Sequence, residues 1–205
     1  MPPGLTACTG LDALTQLLEA YVSKKATPFT DGLCTTGMKH AALSLARAFH
    51  AGDDARAREG MALASLFSGL ALANAGLGAV HGLAGPMGGM FAAAHGNLCA
   101  ALLAAVMAVN IEALKSRMPA APALERYREV AGILTGRPNA GIEEGVTWVS
   151  DLRRQLRIPG LSFYGVDTHD FPLIVKKALR ASSMRGNPVE LTGEEIVRVL
   201  EKSMG

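Results

Sequence analysis

The 205-residue chain is 49% hydrophobic and 19% charged, a balance that favours a folded globular protein over a disordered one. Its 20 basic and 18 acidic residues leave a net charge of only +2 and are interspersed, which argues against nucleic-acid binding. The cysteines lie far apart and no basic segment followed by an apolar one opens the chain, so we predict a cytoplasmic protein with reduced, buried thiols at Cys8, Cys34 and Cys99.

The apolar residues of the first third recur at helical spacing. They predict a helix over residues 10–25, a second over 30–52 and a third that Asp53 or Asp54 caps. The third helix runs into residues 61–80, which carry no charge and are long enough to cross a membrane. Because this segment is rich in alanine, glycine and serine, we interpret it as a fully buried central helix and predict no membrane span.

Helical spacing continues to the end of the chain, where Thr192 and Glu195 stand at the spacing of a capping box. The further predicted helices cover 97–117, 122–136, 140–158, 168–182 and 191–204. No alternating strand pattern and no glycine-rich phosphate loop occurs. We therefore predict an all-α, multi-helix bundle of about eight or nine helices. It should form a single domain over residues 1–205, with a weak seam near 118–122.

Two histidines occur in a long segment without any Asp, Glu, Lys or Arg, between Glu59 and Glu112. On one straight helix, His81 and His95 would lie roughly 21 Å apart, too far to share a metal ion. The intervening sequence GPMGG allows the chain to turn back, so that the two imidazoles meet. Each histidine is therefore either a metal ligand or a hydrogen-bonded core residue.

A divalent ion in such apolar surroundings needs an anionic ligand, and the first predicted helix offers Asp12, with Gln16 one turn later on the same face. Asp12 has a second interpretation as a helix N-terminal acid that the helix dipole stabilises, since Thr9 and Gly10 precede it. The residues alone leave both interpretations open.

Three segments in this order resemble the iron-containing (group III) alcohol dehydrogenases: TACTGLDALTQLLEAYVS, ALASLFSGLALANAGLGAVHGLAGPMGG and AAAHG. The likeness continues through IPGLSFYGV and KKALRASSMRGNPVELTGEEI, so it covers essentially the whole chain. The resemblance implies the all-helical metal-binding domain of that family, which is similar to the α-domain of dehydroquinate synthase. In the family this domain follows an N-terminal dinucleotide-binding domain, which we expect this chain to lack.

The same resemblance implies that Asp12, His81 and His95 hold a divalent metal, Fe²⁺ or Zn²⁺. Gln16 stands where the family usually has histidine. Because an amide oxygen is a weaker donor than imidazole, Gln16 is either a weak fourth ligand or an outer residue beside the site. Glycerol dehydrogenase and dehydroquinate synthase, which resemble the family, hold zinc with one carboxylate and two histidines, so the reduced set remains compatible with activity.

The function that the resemblance implies is the metal-binding half of an NAD(P)-dependent alcohol dehydrogenase, in which the metal polarises an alcohol or aldehyde oxygen for hydride transfer. We expect NAD(P) to bind only with a nucleotide-binding domain supplied in cis or in trans, and the chain alone to be inactive. The alternative is a non-catalytic helical module that forms homo-oligomers and has a degraded metal site. A lyase or cyclase like dehydroquinate synthase ranks last, because no lysine or arginine occurs between residues 59 and 112.

Overall fold

The computed structural model describes residues 1–205 and contains helices but no strands. Nine α-helices follow one another: α1 (Pro3–Val22), α2 (Pro28–His50), α3 (Ala55–Ala75), α4 (Ala79–Gly88), α5 (His95–Arg117), α6 (Pro122–Thr135), α7 (Ile142–Gln155), α8 (Phe171–Ala178) and α9 (Gly193–Lys202). Short 3-10 helices occupy Leu161–Tyr164, Thr168–Asp170 and Ser182–Gly186. The all-α prediction and the expected number of helices are confirmed.

The first helix begins at Pro3 rather than near residue 10. Proline suits the first position of a helix, because its missing N–H would have no partner there and its φ is already helical. Asp12 consequently lies in the third turn of α1, beyond the reach of the N-terminal dipole. The interpretation of Asp12 as a helix N-terminal acid is therefore wrong.

The uncharged segment 61–80 is divided between two helices and is only partly buried. Gly76, with φ 69°, ends α3, and α4 begins at Ala79 after a bend of 100° between the two axes. α3 packs against α1 and α2 on one face and exposes Leu66 and Leu70 on the other. The prediction of a fully buried central helix here is therefore wrong, because the chain bends at glycine and only one face of α3 meets the core.

The central helix is α5, which lies against α1, α4, α6, α7 and α9. By length and composition α5 could cross a membrane, and so could α3 and α4 taken together. However, 78% of the most apolar segment of α5 is buried inside the protein. Packing against its neighbours therefore accounts for the apolar character of α5. The core around it is one cluster of 51 buried residues drawn from all nine helices.

The glycine-rich segment turns the chain back slightly later than its sequence suggests. Pro86 lies inside the last turn of α4, and the reversal occupies residues 89–94 before α5 starts at His95. α4 packs on α5, α5 packs on α1, and the first turn of α4 reaches α1 through the hydrogen bonds of Val80 and His81 with Glu19. This arrangement places both histidines at the start of a helix.

Candidate metal centre

One face of α1 supplies three polar side chains at successive turns: Asp12, Gln16 and Glu19. The Asp12 side chain is 24% exposed, whereas that of Glu19 is only 4% exposed. A buried carboxylate needs hydrogen-bond donors, and α4 provides them. Glu19 Oε1 accepts from the Val80 N–H at 2.6 Å, and Glu19 Oε2 lies 2.6 Å from His81 Nδ1. Glu19 thus joins α1 to the start of α4.

The contact with Glu19 also fixes the orientation of the His81 ring. Because Nδ1 faces the carboxylate, Nε2 points the other way, 3.3 Å from Asp12 Oδ1. A histidine held through one ring nitrogen by a carboxylate, with the other nitrogen free for a cation, is the arrangement found around metal-bound imidazoles. The His81 side chain is 7% exposed and lies at the bottom of the site.

The start of α5 brings His95 and Cys99 to the same point. Gly96 permits this approach, because a Cβ at that position would lie 2.3 Å from the carbonyl oxygen of Cys8 on α1. His95 Nε2 lies 3.9 Å from Asp12 Oδ1, and the centroids of the two imidazole rings are 5.3 Å apart. The His95 side chain is 46% exposed and forms the rim of the site.

Cys99 follows His95 by one helical turn and faces both imidazoles. Its Sγ lies 3.8 Å from His81 Nε2 and 3.5 Å from His95 Nε2. One ligand atom from each of four residues falls within 4.8 Å of the others: Asp12, His81, His95 and Cys99. The thiol is buried, as the sequence predicts, but its neighbours are polar.

These donors fit a divalent metal in two respects. Four ligand atoms arranged as a tetrahedron around zinc at 2.0–2.3 Å lie roughly 3.3–3.8 Å from each other. The four separations from Asp12 and Cys99 to the imidazole nitrogens run from 3.3 to 3.9 Å, and all ligand atoms lie within 4.8 Å of one another. In addition, Asp12 Oδ1 is buried and accepts no hydrogen bond. A buried carboxylate oxygen without a donor is costly for a protein unless a cation meets it.

The charges around the site favour a cation. Burial opposes ionisation of Asp12, but the positive charge of His81, whose Nε2 lies 3.3 Å from Asp12 Oδ1, outweighs it together with that of His95 and lowers the pKa of Asp12. Burial likewise opposes a charge on His81, yet Asp12, Cys99 and Glu19 raise its pKa to about 12. Burial raises the pKa of the Cys99 thiol to about 12. The carboxylates therefore stabilise positive charge at this point, and a metal that binds there displaces protons.

The model of the C-terminal part of the Fe-containing alcohol dehydrogenase family matches residues 6–204. This chain belongs to that family. Alcohol dehydrogenase 4 of Saccharomyces cerevisiae is 36% identical to it over 204 residues, which make up 99% of this chain and 51% of the yeast protein. The NAD-dependent methanol dehydrogenase of Bacillus methanolicus is 34% identical over 205 residues, which make up 99% of this chain and 52% of that enzyme.

The fold of this family is also found in the solved structures. A crystal structure of 1,3-propanediol oxidoreductase superposes with a TM-score of 0.89 at 34% identity, covering 100% of this chain and 53% of that one. The chain spans about half the length of the relatives it matches. Its helices therefore correspond to the C-terminal half of an iron-containing alcohol dehydrogenase.

Gln16, at the position where the resemblance leads us to expect histidine, has its amide between two polar neighbours. Its Nε2 donates to Asp12 Oδ2 at 3.0 Å, and its Oε1 accepts from the Ser68 hydroxyl at 2.9 Å. A carboxylate oxygen only accepts hydrogen bonds, so the amide atom that faces Asp12 has to be the nitrogen. The amide oxygen is therefore directed toward α3.

Two residues beside the expected ligands, Glu19 and Cys99, were not among the site residues predicted from the sequence. Glu19 follows Asp12 by seven residues, which places both carboxylates on one face of α1 two turns apart. Cys99 follows His95 by four residues on one helix, a spacing that could have identified it. Each signal is weak alone, because buried cysteines and single helix carboxylates are common.

Proposed function

We propose that this chain is the metal-binding half of an NAD(P)-dependent alcohol dehydrogenase, with Asp12, His81 and His95 as ligands of a divalent metal, Fe²⁺ or Zn²⁺. When bound, the ion supplies Lewis acidity toward an alcohol or aldehyde oxygen. The observation that carries the proposal is the convergence of these side chains around an Asp12 oxygen that is buried and has no donor.

Different residues of the chain would bind the metal and orient its ligands. Asp12 contributes the negative charge that holds a dication, and Gln16 keeps its second oxygen in place. Glu19 presents the Nε2 of His81 to the site, because it holds the opposite nitrogen. His95, at the rim, borders the exposed side. A small alcohol or aldehyde and the nicotinamide would reach the site from this side.

The cofactor is proposed to require a second protein unit. The methanol dehydrogenase relative is NAD-dependent by name, and about half of its length has no counterpart in this chain. All 205 residues described here form helices and connecting loops, without a strand–loop–helix phosphate site. We therefore propose that a nucleotide-binding domain, in cis or in trans, supplies NAD(P) and that the chain alone does not turn over alcohol.

Metal analysis of the chain purified without chelator tests the proposal. We expect about one iron or zinc ion per chain, because the proposed site has one carboxylate and two histidines and holds a single ion. The chain with His169→Ala, whose imidazole is 94% exposed, should retain the metal, and the chain with His81→Ala should lose it. Alcohol oxidation with NAD(P) by the isolated 205-residue chain would contradict the need for a second unit.

A non-catalytic module that forms homo-oligomers is the second candidate. Two observations favour it: Gln16 replaces an expected imidazole ligand, and large apolar side chains are exposed on α2 and α3, namely Leu43, Leu66 and Leu70. A chain that binds neither iron nor zinc, even on reconstitution, and that sedimentation shows to be oligomeric would establish this candidate in place of the first.

We also propose that residues 1–205 form a single domain in a cytoplasmic protein. The shared core supports the first part, since residues from all nine helices belong to one apolar cluster and the segment 118–122 does not divide it. Three free cysteines and no disulfide support the second part. Limited proteolysis that leaves the chain uncut near 118–122 would support the single domain.

A further inference from the structure

We propose that Cys99 is the fourth protein ligand of this metal centre, and that its thiolate makes Zn²⁺ the preferred ion over Fe²⁺. The inference rests on the metal site of the proposed function and assigns a ligand and a metal to it. The complete donor set is then one carboxylate, two imidazoles and one thiolate: Asp12, His81, His95 and Cys99.

The position of the sulfur supports this assignment. Cys99 Sγ lies 3.5 Å from His95 Nε2 and 3.8 Å from His81 Nε2, which are the separations of roughly 3.3–3.8 Å between neighbouring ligands of one tetrahedral zinc ion. His95 and Cys99 are four residues apart on α5, so one turn of a rigid helix presents both donors together. Neither donor depends on a loop for its position.

Gln16, the other candidate for the fourth position, is already engaged. Its nitrogen faces Asp12, and its oxygen accepts from Ser68 on α3. To coordinate the same ion, the amide would have to break both hydrogen bonds and turn an oxygen toward the Asp12 carboxylate, which repels it. Gln16 therefore holds Asp12 in place, and the thiol of Cys99 occupies the remaining corner of the cluster.

The donor chemistry decides the metal. Thiolate is a soft ligand that favours Zn²⁺, whereas Fe²⁺ is bound less tightly at a given site of nitrogen, oxygen and sulfur donors. Coordination releases the thiol proton to solvent and leaves the sulfur as an anion, which together with Asp12 balances the charge of the dication. With glutamine at position 16, where the resemblance leads us to expect histidine, the sulfur of Cys99 supplies the fourth donor in place of a third imidazole nitrogen.

Cobalt substitution of the full 205-residue chain tests the assignment. Co²⁺ bound by a thiolate gives an intense sulfur-to-cobalt charge-transfer band in the near ultraviolet, which imidazole and carboxylate ligands do not give. We expect this band in the unmodified chain and in the matched control Cys34→Ala, whose buried thiol lies on α2. Cys8→Ala, one turn before Asp12, should also keep it. The band should disappear in Cys99→Ala, while the weaker visible bands of bound cobalt persist.

Zinc competition with a chromophoric chelator gives the second measurement. Loss of an outer ligand-orienting residue already costs ~10–100-fold in metal affinity, so Cys99→Ala should weaken Zn²⁺ binding by about tenfold or more. In anaerobic competition between equal Fe²⁺ and Zn²⁺, the unmodified chain should take up zinc. The ratio of bound Zn²⁺ to bound Fe²⁺ should be smaller in Cys99→Ser, which keeps the approximate size of the side chain and removes the sulfur.

The possible failures are separable. If the unmodified chain binds neither Co²⁺ nor Zn²⁺, the metal site of the proposed function and the role of Cys99 are both overturned. If Co²⁺ binds without a charge-transfer band, or with a band that survives in Cys99→Ala, only the role of Cys99 is overturned. X-ray absorption of the zinc-loaded unmodified chain needs no variant: a sulfur neighbour at about 2.3 Å supports the assignment, and its absence overturns it.

Discussion

Two buried polar clusters flank the start of α4, and they differ in how fully their groups are paired. In the first, Asn187 Oδ1 accepts from the Ala79 N–H and from Asn110 Nδ2, and Asn187 Nδ2 donates to Asn110 and to Val189. Asn110 also donates to Tyr127. Both donors and both acceptor positions of the Asn187 amide are therefore satisfied within the protein.

The second cluster, the candidate metal centre, leaves one acceptor without a donor. We call it the open cluster, and the cluster around Asn187 and Asn110 the closed cluster. Glu19 and the far oxygen of Asp12 have donors, but the Asp12 oxygen that faces the two histidines has none. A closed network stabilises a fold, whereas a buried anionic oxygen with converging nitrogen and sulfur donors is suited to a cation. Both clusters are polar and buried, so it is the unpaired acceptor that distinguishes the candidate binding site from the structural cluster.

The largest expected effect is on metal affinity when an imidazole is removed. His81→Ala and His95→Ala should each weaken Zn²⁺ binding by about 100-fold or more, since a direct ligand contributes at least as much as the residues that orient it. Isothermal titration on chains with unchanged helical circular dichroism measures this. If both variants bind zinc as tightly as the unmodified chain, the open cluster is a structural network like the one around Asn187 and does not bind the metal.

Metal removal should destabilise the fold through the open cluster. Free Zn²⁺ at 100 times its Kd stabilises a protein that binds it only when folded by about 2.7 kcal/mol, which for a chain of this size corresponds to roughly 5–10 °C in Tm. Thermal unfolding with zinc and then with excess chelator measures the shift. The shift should vanish in His81→Ala, and a chelator effect that persists there would indicate a different site.

Breaking the closed cluster should reduce stability without abolishing metal binding. Asn187→Ala leaves the Ala79 N–H and the amide oxygen of Asn110 without a partner in the core, at a cost of about 2–3 kcal/mol in the free energy of unfolding. Urea unfolding measures the loss. Asn74→Ala, which removes an exposed asparagine bonded only to Leu70, is the matched control and should change stability by less than about 0.5 kcal/mol. Equal losses in both variants would contradict the structural role of the closed cluster.

The smallest expected effect comes from Gln16. Because its amide supports Asp12 and does not face the other donors, Gln16→Ala should lower zinc affinity by about tenfold or less. The same titration on Gln155→Ala, an exposed glutamine on α7, provides the baseline. A loss in Gln16→Ala as large as in His81→Ala would show that the amide is a direct ligand and would enlarge the open cluster to include it.

The sequence sufficed to predict the fold class and most of the helices. Apolar spacing identified the helical segments because side chains on one face of a helix recur every three or four residues, whatever they pack against. It did not decide which helix is central. Residues 61–80 and the part of α5 before Glu112 both lack Asp, Glu, Lys and Arg, yet the first segment bends at Gly76 and exposes leucines while α5 is mostly buried. Hydropathy measures the tendency to be buried, and only the neighbours determine whether burial occurs.

The same division holds for the site. The sequence shows two histidines in an uncharged segment, and the resemblance to the family implies that they share a metal with Asp12. The contact of Glu19 with His81, the direction of the Gln16 oxygen toward Ser68 and the position of Cys99 beside both imidazoles are visible only in the folded protein. These contacts join residues of α1, α3, α4 and α5 that lie 18 to 62 positions apart in the sequence. The contact between His95 and Cys99 is the exception, because both residues lie on one turn of α5. Helical periodicity fixes what lies on one face of a helix, but the packing of helices fixes which faces meet.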